Sequence, residues 1–275
     1  EHMMKSFERA DKVVARAKSW LCRRISAGER ITEAGFTRKV GQLFRQSGAT
    51  GLSFQIIGAA GKNGAVIHYS NPDPERIIQS GELVLLDTGA YYEGGYATDL
   101  TRTFLAGESR LKGSEKQKEI YTLVLKGAIA GMRAVFPSGT GGAALDALVR
   151  APLWKAGYDY NHGTGHGVGI NVHESPPRIS AAGNSVLEIG HIFSIEPGIY
   201  LSDFGGVRLE NLCTVVEHPS RQGWFCVVPV TFSPFDRRLI DVSRLTPGEK
   251  KWLRWYSAGG KISRASPPAP FLAED

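Results

Sequence analysis

Helical stretches followed by a β-hairpin, an order that occurs twice along the chain, predict an α+β domain built from two similar halves. Three observations carry this reading. Apolar residues recur at helical spacing near the start; Glu93-Gly94-Gly95 joins two β-type runs; and a capping box at Ser114 restarts the helical pattern. No internal sequence repeat accompanies the recurrence.

Val13, Val14, Ala17, Trp20 and Leu21 share one face of an expected helix over 4–24, and a second helix runs from Thr32 to about Gln46, ended by Gly48. β-type segments follow at 52–57, 65–69, 82–92 and 96–105, the last two forming the first hairpin. Ser114 and Gln117 open a long helix expected to reach Phe136, and a shorter one covers 142–156. A Gly/His-rich stretch occupies 161–174. Segments 191–201 and 206–217 form the second hairpin, with a further β pair over 224–232. Thr246, Pro247 and Glu249 supply an N-cap, an N1 proline and an N3 acid for a terminal helix to Tyr256. The stretch 258–275, rich in Gly, Ser and Pro, is expected to be a flexible tail.

The 275 residues suffice for a sizeable core, and 42% hydrophobic with 22% charged residues is an ordinary globular composition. The net charge of +6 raises nucleic-acid binding as a class, but the basic residues are dispersed. Arg23-Arg24 and Lys250-Lys251 lie on amphipathic helices, so no nucleic-acid partner is expected. No apolar run approaches the roughly 20 residues of a bilayer span, and no membrane partner is expected. The first residues lack the apolar core of a signal peptide, so the expected location is cytoplasmic. Cys22, Cys213 and Cys226 sit in apolar contexts, read as buried thiols, and share no metal-ligand spacing.

Chemistry concentrates in acids placed on β segments. Asp87 follows the apolar run Leu83-Val84-Leu85-Leu86, and Asp99 precedes Leu100-Thr101-Arg102-Thr103. A carboxylate there is costly to bury unless it is paired, hydrogen-bonded or bound to a metal. A hairpin would bring the two together; taken alone, two aspartates satisfying turn amides is the simpler reading. Glu196 follows Ile192-Phe193-Ser194-Ile195, and Glu210 follows Val207-Arg208-Leu209. A buried glutamate paired with Arg208 is the plain alternative. The glycine-rich stretch adds His162, His166 and His173. Glycines let backbone approach a ligand closely, although a lone histidine there is more often structural.

Four acids and a histidine, with no sulfur, suit two hard or borderline divalent cations such as Mn²⁺. Bridging carboxylates hold such ions about 3.5–4 Å apart and lower the pKa of a shared water, which makes a hydrolytic nucleophile. The chain contains no serine-hydrolase elbow, no phosphate-binding P-loop, no H-E-x-x-H and no C-x-x-C to compete with this set.

The stretches LLDTGAYYEGGYATDLTRTF, NHGTGHGVGINVHESP, FSIEPGIYL and GGVRLEN resemble the pita-bread metallopeptidases, which include methionine aminopeptidase, prolidase and aminopeptidase P. The resemblance implies a pita-bread fold, with a curved antiparallel sheet flanked by helices. It implies two divalent ions, Mn²⁺ before Zn²⁺ or Co²⁺, held by Asp87, Asp99, His166, Glu196 and Glu210. Asp99 and Glu210 would bridge the ions, Asp87 would complete one site, and His166 and Glu196 the other; Glu196 would also handle the water's proton.

NGAVIHYS, NVHES and the stretch PFDRRLIDVSRLTPGEKKWLRWY are most similar to cytosolic-type aminopeptidase P. That subfamily implies His68 and His173 as catalytic histidines in the substrate site, with His162, Val172, Tyr200 and Arg208 around a proline pocket. It implies hydrolysis of the bond between an N-terminal residue and a following proline, peptide substrates with proline second, and a homodimer. A prolidase-like dipeptidase and a non-catalytic peptide-binding module are the alternatives. The expected organisation is a catalytic core over 1–217 and an extension over 218–257 packed on it, without the N-terminal domains that aminopeptidases P carry. Asp87 and Asp99 are 12 residues apart, one more than the family's usual spacing, and the extra residue falls at the Glu93-Gly94-Gly95 turn.

Overall fold

The computed structural model describes residues 1–260. Helix α1 (His2–Ser26) buries Phe7, Ala10, Val13, Val14, Ala17 and Leu21, the three- and four-residue spacing that keeps one face of a helix inward. Helix α2 (Glu33–Gln46) starts at Thr32, whose Oγ1 accepts from the Gly35 N–H at 3.1 Å. Strands β1 (Gly51–Leu52), β2 (Ile57–Ala60), β3 (Leu83–Thr88), β4 (Ala90–Tyr91) and β5 (Leu100–Leu105) follow. The antiparallel sheet β2-β3-β5 lies under the two helices, and Phe36 meets Phe104 edge-on at 6.3 Å. Truncating either buried ring would cost roughly 3–5 kcal/mol.

The second half repeats the plan. Helix α3 (Glu115–Met132) opens with the expected capping box, then come β6 (Val135–Pro137) and α4 (Gly142–Lys155). Strands β7 (Gly165–Gly167), β8 (Glu174–Ile179), β9 (Ile192–Ile195), β10 (Gly198–Leu201), β11 (Gly205–Arg208), β12 (Asn211–Glu217) and β13 (Trp224–Pro229) complete it. Six of them form one antiparallel sheet ordered β6-β13-β12-β9-β7-β8, while β10 and β11 make a hairpin of their own. The α+β pita-bread arrangement expected from the sequence is the one observed.

The halves join where β5 meets the segment after β11. The Glu210 N–H donates to the Thr101 carbonyl at 3.1 Å, and the Arg208 N–H to the Thr103 hydroxyl at 3.1 Å. Arg102 braces this seam. Its guanidinium donates to the carbonyls of Thr101, Glu210 and Ser233, to Asn211 Oδ1 and to the Tyr256 hydroxyl. Tyr256 lies on α5 (Pro247–Ser257), whose Thr246 and Glu249 form a second capping box. Trp252 is wholly buried and stacks on Tyr256 with centroids 5.1 Å apart.

Several boundaries differ from the sequence-based expectation. No strand covers 65–69; Gly61–Ala65 is a 3-10 turn instead. A Cβ on Gly64 would lie 3.0 Å from the Gly206 amide nitrogen, so backbone packs on backbone where a strand's side chains would not fit. The expected strand 52–57 divides into β1 and β2. The run 82–92 breaks at Gly89, where a Cβ would fall 1.9 Å from the Thr98 carbonyl oxygen. Helix α3 stops at Met132, because Val135, Phe136 and Pro137 pair with Cys226, Phe225 and Trp224 at the sheet edge. β8 was not anticipated. Cys213 and Cys226 are buried free thiols, while Cys22 is only half-buried. Of the expected tail 258–275, Ala258 caps α5 and Gly259 and Gly260 follow with positive φ, while 261–275 lie outside the described residues.

Candidate metal centre

The strand interruptions place the acids. β9 gives way at Glu196-Pro197, and β11 and β12 are separated by Leu209-Glu210. At each break a carboxylate leaves the sheet and turns into a central cavity of about 650 Å³. Asp87 on β3 and Asp99, just before β5, enter from the first half; His166 enters from β7. All five expected ligands therefore line one cavity. Ligand atoms of Asp99, His166 and Glu210 lie within 4.8 Å of one another. His166 Nε2 stands 3.5 Å from Asp99 Oδ2 and 3.4 Å from Glu196 Oε1.

Four carboxylates so placed repel one another. Burial first, then the neighbouring charges, Glu210 foremost, push Asp99 and Glu196 well above the ordinary carboxylate range. Burial, then Asp87, raises Glu210 to about 7. Burial, against a hydrogen bond to Gly167, lowers His166 to about 4, so its ring is neutral. Its Nδ1 bonds the Gly167 carbonyl at 3.1 Å and must carry the proton, which leaves Nε2 a free lone pair facing the acids.

The donor set fits two divalent cations. Asp87 Oδ2 accepts from Arg208 Nη2 at 2.7 Å, while Oδ1 is buried and has no hydrogen-bond partner among the described residues. Glu210 Oε2 accepts from the Thr101 hydroxyl at 2.8 Å, and Glu196 Oε1 from the Ser194 hydroxyl at 3.1 Å. Ser194 Oγ also accepts from the His166 N–H at 3.1 Å. Oriented carboxylates and a neutral imidazole match the demands of hard or borderline cations.

His68, His162, His173 and Arg208 line the same cavity, with His68 and His173 exposed and the His173 ring 4.2 Å from that of His166. Burial lowers His162 to about 4; its Nδ1 donates to the Gly163 carbonyl at 2.8 Å, and its Nε2 faces the Tyr200 hydroxyl at 2.8 Å. Tyr200 in turn accepts from Arg208 Nη1 at 2.9 Å. Tyr200 therefore stands behind the wall rather than on it. Val172 packs in a small cluster with Val168 and Leu212, also outside the lining.

Residues 1–217 match the metallopeptidase family M24, and 223–259 match the C-terminal region of peptidase M24. The chain belongs to metallopeptidase family M24. This M24 chain is 45% identical over 216 residues to Aminopeptidase P1 of Lotus japonicus, covering 75% of the chain and 32% of that protein. Its fold is similar to that of the X-prolyl aminopeptidase of Caenorhabditis elegans, described as a cytosolic enzyme with a di-nuclear active site. There the TM-score is 0.87 at 35% identity, covering 94% of this chain and 42% of that one. An Xaa-Pro dipeptidase from Bacillus anthracis follows at TM-score 0.73 and 33% identity, with 85% and 60% covered. The M24 chain thus spans about a third of the curated relative it matches.

Thr101 and Ser194 were missed as orienting residues. Each is two positions from an acid, Asp99 or Glu196, and a strand's period of two puts such pairs on one face. That alternation was the available signal. Phe54, Gln55 and Ile67 also line the cavity and had no sequence signal.

Proposed function

We propose that this chain carries the catalytic centre of a dinuclear Xaa-Pro aminopeptidase, which hydrolyses the bond between an N-terminal residue and a following proline. The observation that carries the reading is the convergence of Asp87, Asp99, His166, Glu196 and Glu210 in one cavity. In this reading Asp99 and Glu210 would bridge the ions; Asp87 would complete one site, and His166 with Glu196 the other. Bound there, two divalent ions, Mn²⁺ first, would acidify a shared water and polarise the scissile carbonyl.

The chain's own groups do the rest. Glu196, held by Ser194, is the acid we assign to take and return the nucleophile's proton. His68 and His173, exposed on the cavity wall, would hydrogen-bond the charge that develops on the substrate. Proline's ring nitrogen carries no N–H, so its pocket needs apolar and flat surface rather than an acceptor. His162, neutral and packed 4.7 Å from Tyr160, offers a flat face, with Tyr200, itself held by Arg208, fixing its angle; Val172 belongs to the proposed pocket by the resemblance alone.

Peptides are the partners in this reading, and a cytosolic homodimer belongs to the same proposal. No described helix is long and apolar enough to cross a membrane. The test is cleavage of three peptides by the metal-loaded protein: Xaa-Pro-Xaa, Xaa-Ala-Xaa and Xaa-Pro. Release of the first residue from Xaa-Pro-Xaa, with most of the rate lost on Xaa-Ala-Xaa, supports the reading. Equal rates on the first two would refute proline selection, and cleavage of the dipeptide alone would make the enzyme a prolidase.

A further inference from the structure

Two of the residues that line the cavity are arginines, and they differ in what they hold. Arg208 is buried, with Nη2 on Asp87 and Nη1 on Tyr200. Arg178 is exposed at the rim, and among the described residues its guanidinium has no hydrogen-bond or ion-pair partner. Its place is set by the sheet. Arg178 on β8 stands directly opposite His166 on β7 in an antiparallel pair. Directly opposed residues project from the same face, with Cβ atoms about 4.5–5.5 Å apart. Arg178 therefore rises on the ligand side of the sheet, one side chain away from the metal cluster, with its long stem reaching toward the mouth.

The acid nearest along this strand does not neutralise it. Glu174 is already engaged: its Oε1 accepts the Asn171 N–H at 2.9 Å, and its carboxylate packs against Gly169. The remaining acids of the cavity are the four that two divalent ions would neutralise. A solvated, forked cation is thus left facing the space that a bound peptide must cross when it leaves the cavity.

We propose that Arg178 is a specificity-determining residue that receives the free C-terminal carboxylate of short peptides, so that the enzyme favours substrates ending one or two residues beyond the scissile bond. A peptide advances roughly 3.5 Å per extended residue, so such a carboxylate lies within one arginine's reach of the cluster. The guanidinium fork matches a carboxylate's two oxygens. The inference rests on the aminopeptidase reading, because that reading orients the peptide with its N-terminus inward.

The test compares Ala-Pro-Leu as free acid and as C-terminal amide, with the wild type, Arg178→Ala and Arg178→Lys, all metal-loaded. The wild type should show a KM about threefold to fivefold lower for the acid, shrinking at high salt because the pair is exposed. Arg178→Ala should abolish the difference while leaving kcat on the amide unchanged, and Arg178→Lys should restore part of it. Calorimetric binding of Pro-Leu and Pro-Leu-amide provides a readout that needs no turnover. Acid and amide bound equally by the wild type, or a preference that survives Arg178→Ala, overturns the proposal. Carboxylate preference in binding, lost in Arg178→Ala, upholds the subsite even if Ala-Pro-Leu is never cleaved, an outcome that would instead refute the aminopeptidase reading.

Discussion

Arg208 donates from Nη2 to Oδ2 of Asp87 across 2.7 Å, and among the described residues the other, buried oxygen of that carboxylate has no hydrogen-bond partner. One oxygen is thereby fixed by one arm of the guanidinium while the other is left free in a carboxylate that lines the cavity. Arg208→Lys keeps the charge but loses the fork that also holds Tyr200. It should weaken metal binding by about 10–100-fold, the usual cost of removing a group that orients a ligand. Calorimetric titration with Mn²⁺ checks this, and unchanged affinity would show that Asp87 needs no such hold.

Asp99 and Glu210 are predicted to be stabilising only when cations lie between them. Without metal, Glu210 raises the cost of ionising Asp99, while the hydrogen bond from Asp99 eases the ionisation of Glu210. Asp99→Asn should therefore raise the melting temperature of the metal-free protein at about pH 8, by about 2–4 °C if it relieves 1 kcal/mol. The same variant should lose the added stability that metal confers on the wild type. Scanning calorimetry with chelator and with Mn²⁺ reads both arms. A variant that melts lower than wild type in chelator and still gains from metal would contradict the assignment.

The metal-free protein should also lose stability as pH rises. Burial and Asp87 lift Glu210 from 4.5 to about 7, and Asp99 and Glu196 shift the same way. A carboxyl raised in the folded state contributes stability that is whole below its unfolded pKa and is lost as pH climbs through the folded one. The loss for Glu210 falls between about 4.5 and about 7 and is on the order of a few kcal/mol. Metal should reverse the trend, since it binds the deprotonated ligands. Melting curves in chelator that stay flat from about pH 5 to about pH 8 would count against the raised carboxyls.

His68 and His173 divide from the ligands in what they should do when removed. Both are exposed on the cavity wall, and neither belongs to the close group of Asp99, His166 and Glu210. His68→Ala and His173→Ala should keep metal bound and cut turnover by roughly 10²-fold, acting on the transition state. Metal analysis beside kcat on Xaa-Pro-Xaa distinguishes this from a ligand's role; unchanged kcat in both variants would make them bystanders.

The fold class and the acids that line the cavity were legible in the sequence, the first from the order of its elements and the second through the family resemblance. Asp87 and Glu196 draw notice as ionisable groups at the ends of apolar runs, but taken alone they read as readily as a turn aspartate and a partner of Arg208; the ligand set rests on the family resemblance. Glycines between His162 and His166 marked where backbone crowds a ligand. What stayed hidden depended on contacts distant in sequence. Val66-Ile67-His68-Tyr69 has strand composition, yet Gly64 packs on Gly206, and the chain turns there and presents His68 to the cavity. Ser175-Pro176-Pro177 reads as a breaker, yet β8 is the sheet's edge strand, where missing N–H donors are tolerated. The burial of Trp252 and the joining of Arg102 to Tyr256 are likewise decisions of tertiary packing that no local pattern announces.

The central claim, two cations held by these five side chains and used for hydrolysis, is tested most directly by titrating Mn²⁺ into metal-stripped protein while recording bound metal and release of the N-terminal residue from an Xaa-Pro-Xaa peptide. The account predicts saturation at two ions per chain, with hydrolysis rising as they bind, and loss of both in Glu210→Gln. Hydrolysis by the metal-stripped protein, or two ions bound by Glu210→Gln with undiminished turnover, would contradict it.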